Sequence, residues 1–96
     1  MIVLQIEHAV PNYNGWKKAF DSDPINRKGS GVYRHRVFRP ADDPNCIIIQ
    51  LEFETLQATE EALTALRKLW TDVDGKIIMN PQTRILDLVE AIEYHQ

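Results

Sequence analysis

The sequence is 96 residues long, with 11 basic and 14 acidic side chains and a formal net charge of -3 at pH 7. This length predicts a single domain, residues 1–96, with a small core, and the 44% of hydrophobic residues excludes a disordered chain. The net negative charge argues against nucleic acid as the main partner, because binding phosphates requires a basic face. No apolar run reaches the length of a membrane span, and the single cysteine, Cys46, predicts a reducing compartment, the cytoplasm.

The first two elements are a strand and a helix. Two faces alternate along residues 2–8, an apolar one with Ile2, Leu4 and Ile6 and a mixed one with Val3, Gln5 and Glu7. This period of two predicts a strand, and the absence of a basic leader argues against a signal peptide. Apolar residues at helical spacing over 13–20 predict a helix with Asn12 or Asn14 as its N-cap, which stops before Pro24.

Two further strands follow as a hairpin. The runs 32–39 ("VYRHRVFR") and 46–53 ("CIIIQLEF") have strand-like composition, and the turn-forming residues 40–45 lie between them. In the second run the odd-numbered residues are apolar, whereas Ile48, Gln50 and Glu52 occupy the other face. The hairpin is therefore predicted to be antiparallel, with one dry face.

The last part of the chain contains the clearest helix. Apolar residues at helical spacing run from the N-cap candidate Thr55 to the stop signal at Gly75. Residues 83–92 are compatible with strand or helix, and a strand over 83–90 is favoured because it completes the sheet. The order β-α-β-β-α-β predicts a ferredoxin-like α+β fold, a four-stranded antiparallel sheet with two helices on one face.

One face of this predicted sheet is not covered by the helices. It carries three residues of the first strand and three of the third, Val3, Gln5, Glu7, Ile48, Gln50 and Glu52. A face of mixed polarity can lie in water, but its apolar members favour coverage by a second sheet. The sequence therefore predicts a homodimer whose two sheets face each other and enclose a cleft lined by polar groups.

Several short patterns resemble one superfamily over nearly the whole chain. They are Trp16 with Phe20, "YRHRVFR" at 33–39, "DDPN" at 42–45, and the triplet of Glu52, Phe53 and Glu54. In this succession the chain resembles the dimeric α+β-barrel superfamily, and within it the small proteins related to antibiotic-biosynthesis monooxygenases. The superfamily includes cofactor-independent oxygenases, haem-degrading enzymes, polyketide cyclases and lactone isomerases. The resemblance therefore implies a dimeric α+β barrel and leaves the activity open.

The resemblance also implies site residues. The family's oxygenases use an asparagine, a tryptophan and, in some members, an arginine or histidine around the cleft. In this sequence Asn12 with Trp16, or Trp70, are the candidates. The first strand departs from the pattern, since it offers Gln5 and Glu7 where the family has an inward asparagine.

The run 32–39 carries most of the candidate ligand-binding residues. Together with facing positions on the neighbouring strands, the candidate cleft consists of Glu7, Tyr33, Arg34, His35, Arg36, Gln50 and Glu52. Two registers are open, and a shift by one residue exchanges the two faces of a strand. In the first, Val37 pairs with Ile48 and the odd-numbered residues of the run enter the cleft. In the second, Arg36 pairs with Ile48 and the even-numbered arginines enter.

Either set of side chains indicates ligand chemistry. Arginine would neutralise an anion, and histidine would exchange a proton near neutral pH. The same charges also suit cross-strand ion pairs with Glu7 and Glu52, each worth about 0.2–1 kcal/mol. A further anion site is open at Arg27, Lys28 and Arg39.

The remaining chemistry-bearing residues give weaker signals. His8 and Glu7 form no dyad, because neighbours in a strand point to opposite faces, and His8 is predicted to be a surface or strand-end histidine. Three dispersed histidines and one cysteine predict no metal site, and no pattern predicts a cofactor. Trp16 and Trp70 lie on apolar stripes of the helices, which favours core positions.

Two functions are therefore open. One is a cofactor-independent monooxygenase- or cyclase-like enzyme that acts on a small aromatic or anionic substrate. His35 would transfer a proton there, or Arg34 and Arg36 would stabilise an oxyanion. The other is a non-catalytic small-molecule-binding or assembly module with the same dimer. Cleft volume distinguishes them, because a ligand pocket usually has about 300 Å³ or more.

Overall fold

The computed structural model describes residues 1–95 as a layer of four antiparallel strands and a layer of two helices. The elements are β1 (Ile2–Ala9), α1 (Tyr13–Asp21), β2 (Arg34–Phe38), β3 (Cys46–Phe53), α2 (Leu56–Val73) and β4 (Met79–Asp87). The strands lie in the order β2-β3-β1-β4, so that β2 and β4 form the two edges of the sheet. The predicted ferredoxin-like βαββαβ fold is thus confirmed.

Local signals determine the ends of both helices. The side chain of Asn12 caps α1 by accepting a hydrogen bond of 3.0 Å from the backbone N–H of Gly15. Thr55 caps α2 in the same way, with its Oγ1 accepting from the N–H of Ala58 at 3.1 Å. After α2, Gly75 has a φ of 84°, a left-handed conformation that glycine adopts without strain.

One side of the sheet, the helix face, packs against both helices and forms the core. On this face the buried apolar residues of β1 and β3 recur every second position as predicted, and they are Leu4, Ile6, Ile47, Ile49, Leu51 and Phe53. The helices add Trp16 from α1 and Ala62, Leu63 and Leu66 from α2. Each large apolar side chain that is fully buried contributes about 1.5–3 kcal/mol, so this layer is the main source of stability.

The opposite side, the open face, is covered by neither helix. Cross-strand pairing aligns three rows on it, namely Phe38, Ile48, Glu7 and Gln82; Arg36, Gln50, Gln5 and Arg84; and Arg34, Glu52, Val3 and Leu86. Polar contacts join neighbours within the rows. Gln50 Nε2 donates to Gln5 Oε1 at 3.0 Å, and Arg34 Nε lies 3.4 Å from a carboxylate oxygen of Glu52. The predicted mixed polarity of this face is confirmed.

Strand β2 pairs with β3 in a register that neither predicted alternative contained. Phe38 lies opposite Ile48, whereas the sequence predicted Val37 or Arg36 as the partner of Ile48. Both alternatives were wrong because the connection 39–45 turns more tightly than assumed, with the Asp43 N–H donating to the Pro40 carbonyl at 3.1 Å. The second alternative nevertheless had the right faces, since a shift of two residues preserves them.

The last element is a strand, as favoured over a helix. It runs over Met79–Asp87 and so begins and ends earlier than the predicted 83–90. Its bounds follow from antiparallel pairing with β1, and an edge position tolerates Pro81, which has no N–H for a further neighbour. The ladder ends where the Leu88 N–H donates to the Met1 carbonyl at 3.0 Å.

The two-layer arrangement makes the molecule flat, with extents of 37 × 34 × 21 Å. One sheet face and both sheet edges remain free in the single chain. Neither helix within residues 1–95 is both long and apolar enough to cross a membrane.

Candidate functional site

A cavity lies between the helix face of the sheet and the two helices. Its volume is about 180 Å³, and its wall is apolar apart from His8, Ser22 and Arg27. The apolar wall includes Ile6, Leu51, Phe20, Leu66, Leu69 and Trp70. An apolar cavity of about 150 Å³ is large enough to bind benzene, so this one admits roughly one or two fused rings.

Aromatic side chains line the cavity on the side of α1. The rings of Trp16 and Phe20 stack with centroids 5.0 Å apart and an angle of 27° between their planes. A spacing of four residues places both on one side of the helix. His8 meets Trp16 at a centroid distance of 5.9 Å, and His35 meets Phe20 edge-on at 5.3 Å. The four rings form a row that runs from β1 to β2.

His8 is the buried ionisable group of this wall. Only 3% of the residue is exposed, and its Nδ1 lies 3.2 Å from the carbonyl oxygen of Ala9. Because a carbonyl only accepts, Nδ1 carries the proton, and Nε2 keeps a free lone pair. Burial lowers the pKa of His8, and the hydrogen bond to Ala9 opposes this shift only in part. The imidazole is therefore neutral at pH 7 and able to accept a proton.

The free nitrogen of His8 is not completely enclosed by protein atoms. No fully buried side-chain nitrogen or oxygen within residues 1–95 lacks a hydrogen-bond partner. Since Nε2 has no such partner, it must retain accessible surface, and His8 lines the cavity. The site therefore combines an apolar space with one polar group that accepts a hydrogen bond.

Arg27 separates the cavity from a second, outer space. Its guanidinium carbon lies 4.0 Å from the centre of the Phe20 ring, and its Nη1 donates to the Phe20 carbonyl at 2.8 Å. Its Nε lies 3.5 Å from a carboxylate oxygen of Asp23. Beyond it is an open groove of about 790 Å³, whose wall includes Lys28 and His35. Phe20 and Arg27 are thus the partition between the two spaces.

The structure does not bring the seven predicted cleft residues together. Five of them lie on the open face, Glu7, Arg34, Arg36, Gln50 and Glu52. The other two, Tyr33 and His35, line the outer groove, which Arg34 at the edge of the sheet also reaches. The cavity therefore lies on the other side of the sheet from the five. Among the residues implied by the resemblance, Trp16 and Trp70 line the cavity, whereas Asn12 caps α1.

His8 is the site residue that sequence reasoning missed. The sequence predicted a surface or strand-end histidine, and the structure buries the side chain beside Trp16. A signal was present, because His8 continues the two-residue period of Leu4 and Ile6, whose side chains form the core. The sequence correctly predicted that His8 and Glu7 point to opposite faces of β1. The end of the strand is not exposed, however, because Trp16 of α1 covers His8.

The other candidates are dispersed. In the predicted basic cluster, Arg27 and Lys28 line the outer groove, whereas the guanidinium of Arg39 lies 5.0 Å from the Tyr13 ring. Burial raises the pKa of the Cys46 thiol, and nearby carboxylates raise it further, so little nucleophilic thiolate forms at neutral pH. Within residues 1–95, no group of three or more histidine, cysteine, aspartate or glutamate side chains is placed to hold a metal ion.

Comparison with known proteins identifies the fold. No family model and no curated protein sequence matches the chain, but solved structures match over almost its whole length. SnoaB, a cofactor-independent oxygenase from Streptomyces nogalater, has a TM-score of 0.76 at 12% identity over 97% of each chain. A candidate antibiotic biosynthesis monooxygenase from Deinococcus radiodurans has a TM-score of 0.70 at 11% identity over 100% of each chain.

A third match is a dimeric ferredoxin-like protein from an uncultured marine organism. Its TM-score is 0.65 at 9% identity, over 98% of this chain and 100% of that one. This chain has the same ferredoxin-like fold as these proteins. The predicted resemblance is confirmed at the level of fold. Identities this low establish the fold and not the activity, because one fold can support many activities.

Proposed function

We propose that this protein is a cofactor-independent, oxygenase-like enzyme that binds a small aromatic substrate in the cavity between sheet and helices. The observation that carries the proposal is an apolar, aromatic-lined cavity with a neutral histidine in its wall. Aromatic rings pack favourably on the Trp16 and Phe20 rings, and His8 Nε2 accepts a proton from a phenol or enol. The described activity of SnoaB, which has the same fold, supports oxygen chemistry.

Proton removal is the step that the chain's own residues supply. His8 takes a proton from the substrate and leaves an electron-rich aromatic anion, which is the species that reacts with dioxygen. An activated ring methylene and one dioxygen molecule give a ring ketone and one water molecule. The methylene carbon gains one oxygen atom as its carbonyl, and the other oxygen atom leaves in water with the two hydrogens of the methylene. The apolar wall keeps bulk water away from the anion.

The size of the cavity limits the substrate. Its volume of about 180 Å³ is below the roughly 300 Å³ at which pockets for drug-sized ligands begin. A porphyrin or a compound of many fused rings therefore does not fit, which argues against haem degradation. The small volume also favours the alternative of a non-catalytic binding module, and separate measurements of binding and turnover distinguish the two functions.

The test uses the two tryptophans of the chain, Trp16 and Trp70, which both line the cavity. Titration with 1,3-dihydroxynaphthalene under nitrogen should quench their fluorescence, after correction for absorbance by the probe. In air, the protein should accelerate formation of 2-hydroxy-1,4-naphthoquinone, which is followed by its absorbance. One dioxygen is consumed and one water is formed for each quinone.

Substitution of His8 separates catalysis from binding. We expect His8→Leu to lower the rate of quinone formation by about a hundredfold, the lower limit typical of a lost general base, with little change in quenching. His35→Leu, on the other side of Phe20, should leave the rate unchanged. Quenching without acceleration that depends on His8 would identify a non-catalytic binding module, and absence of quenching would overturn both candidates.

We also propose that the chain forms a homodimer in which the open face of one sheet faces that of its partner. The uncovered Phe38 and Ile48 and the dimeric state of the marine protein with the same fold support this arrangement. Glu7 and Arg36 would then lie at the interface and not at the substrate.

A free Cys46 suits the cytoplasm, which we propose as the compartment.

A further inference from the structure

The C-terminal arm, residues 88–95, is exposed along its whole length. It leaves the sheet after β4 and forms neither helix nor strand. Val89 is 91% exposed, Ile92 60%, Tyr94 79% and Leu88 41%. Single apolar side chains on a surface are ordinary, but four within eight residues indicate a segment that packs against a partner.

The open face of the sheet is complementary to this arm. Phe38 is 42% exposed there and lies opposite the half-buried Ile48. On the same face, Arg36 and Arg84 flank the pair of glutamines in the middle row. Neither arginine belongs to an ion pair formed within residues 1–95. The face thus offers exposed apolar groups together with two unpaired positive charges.

The arm carries the matching charges. Glu90 and Glu93 alternate with its apolar residues, and neither forms an ion pair within the part of the chain that the structure describes. Complementary charges fix the register of an interface and favour one partner over others. Arm and open face therefore match in both apolar and charged groups.

The surface area of the chain indicates how large the missing contact is. The chain exposes 6759 Å², about 1,100 Å² more than the roughly 5,700 Å² expected of a compact monomer of 11.1 kDa. A stable protein–protein interface removes about 800 Å² from each partner. The excess is therefore sufficient for a second copy of the chain to cover.

We infer that two chains exchange their arms, so that each arm lies between the two facing sheets, against the open face of the partner. Its apolar side chains contact Phe38 and Ile48, and its glutamates pair with Arg36 and Arg84. Eight residues span up to about 26 Å, whereas four strands at a spacing of about 4.8 Å are about 14 Å wide, so an arm crosses the whole sheet. The inference rests on the proposed dimer and names the segment that holds it together.

Charge reversal tests the exchange. The face variant is Arg36→Glu with Arg84→Glu, and the arm variant is Glu90→Arg with Glu93→Arg. In each variant alone, arm and face carry like charges, so we expect the dimer dissociation constant to rise at least about tenfold. Light scattering over a range of protein concentrations measures this change.

Mixing the two variants distinguishes exchange between chains from folding back within one chain. In a mixed dimer, each arm meets a face of opposite charge, so native mass spectrometry should show the heterodimer as the main species. An arm that lay on its own chain would remain mismatched after mixing, and the mixture would stay monomeric. That result would overturn the exchange.

A matched control carries the same change in charge elsewhere. Arg67→Glu with Lys68→Glu alters two exposed positions of α2 and should leave the dissociation constant unchanged, and circular dichroism verifies the folding of all variants. If both charge variants dimerise like the unmodified chain, the arm has no role, although the proposed dimer stands. If the unmodified chain is monomeric at every concentration, the dimer and the exchange both fail.

Discussion

The chemistry of His8 depends on the residues that surround its position in β1. The side chain is directed to the helix face with Leu4 and Ile6, and Trp16 covers it. The hydrogen bond to the Ala9 carbonyl selects the tautomer that leaves Nε2 as the acceptor. A histidine at an exposed strand end would have neither property, because water would solvate both of its ring nitrogens.

The buried state of His8 should make stability depend on pH. The pKa of His8 lies below its ordinary value of 6.5 in the folded state because burial disfavours the imidazolium, whereas the unfolded chain protonates near 6.5. The stabilising contribution is therefore complete above pH 6.5 and is lost as the pH falls from 6.5 toward the folded-state pKa. We expect urea denaturation to show a lower free energy of unfolding at about pH 5.5 than at about pH 7.5.

Two variants assign this dependence to its source. His8→Leu should be less sensitive to pH over the same interval, since it lacks the imidazole whose pKa burial lowers. His35→Leu should retain the full dependence. Carboxylates titrate mainly below this interval, so a flat profile for the unmodified chain would contradict a buried neutral His8.

At the scale of elements, β2 explains the charged run that the sequence presents. The strand is an edge, only five residues long, and Val37 is its one member in contact with the core. Arg34 and Arg36 fall on the open face, where Arg34 pairs with Glu52 as one of the predicted cross-strand ion pairs. With a single apolar anchor, the pattern of β2 specifies its register weakly.

Helix α2 is stabilised by its N-cap, Thr55, and a single substitution in the whole protein measures this contribution. We expect Thr55→Ala to lower the free energy of unfolding by about 1 kcal/mol, because the N–H of Ala58 loses its acceptor. Urea denaturation measures the change. The control is Thr64→Ala in the exposed middle of the helix, where the hydroxyl bonds back to the Glu60 carbonyl. It should be neutral or slightly stabilising, since alanine is the better helix former, and an equal loss in both variants would contradict the cap.

At the scale of the whole molecule, the fold is incomplete as a single chain. Two layers with an extent of 21 Å in the shortest direction leave a sheet face uncovered. The middle row of this face is polar, with Gln5 bonded to Gln50, and the apolar residues of the face lie in the two outer rows. A second copy is the simplest cover, because two equal faces related by a twofold axis match each other.

Dimer formation should make thermal stability depend on protein concentration. We expect a hundredfold dilution to lower Tm by a few degrees, since association stabilises only the folded state, by about 2.7 kcal/mol for a hundredfold change. Ile48→Glu places a charge on the open face and should remove this dependence. The control Leu56→Glu makes the same change at a half-exposed position of α2 and should retain it. A Tm that does not change on dilution of the unmodified chain would contradict the dimer.

Local patterns in the sequence were sufficient for five of the six elements, whereas the last strand was favoured over a helix because it completes the sheet. The period of two in β1 and β3, the apolar stripe of α2 and the cap Thr55 depend on residues close together in the chain and were predicted correctly, and Asn12 was one of the two caps predicted for α1. Short-range sterics and hydrogen bonds determine such features, so they can be read without the partners of each element. The sheet of four strands follows from the order of the elements.

Only the tertiary structure decided the features that depend on contacts between distant segments. The register of β2, the ends of β4 and the burial of His8 each depend on which neighbour packs there. The cavity exists because the helices do not fill the space above Ile6 and Leu51, a result of packing volumes that no spacing in the sequence records. The sequence alone therefore determined the fold, and packing decided on which side of the sheet its candidate site lies.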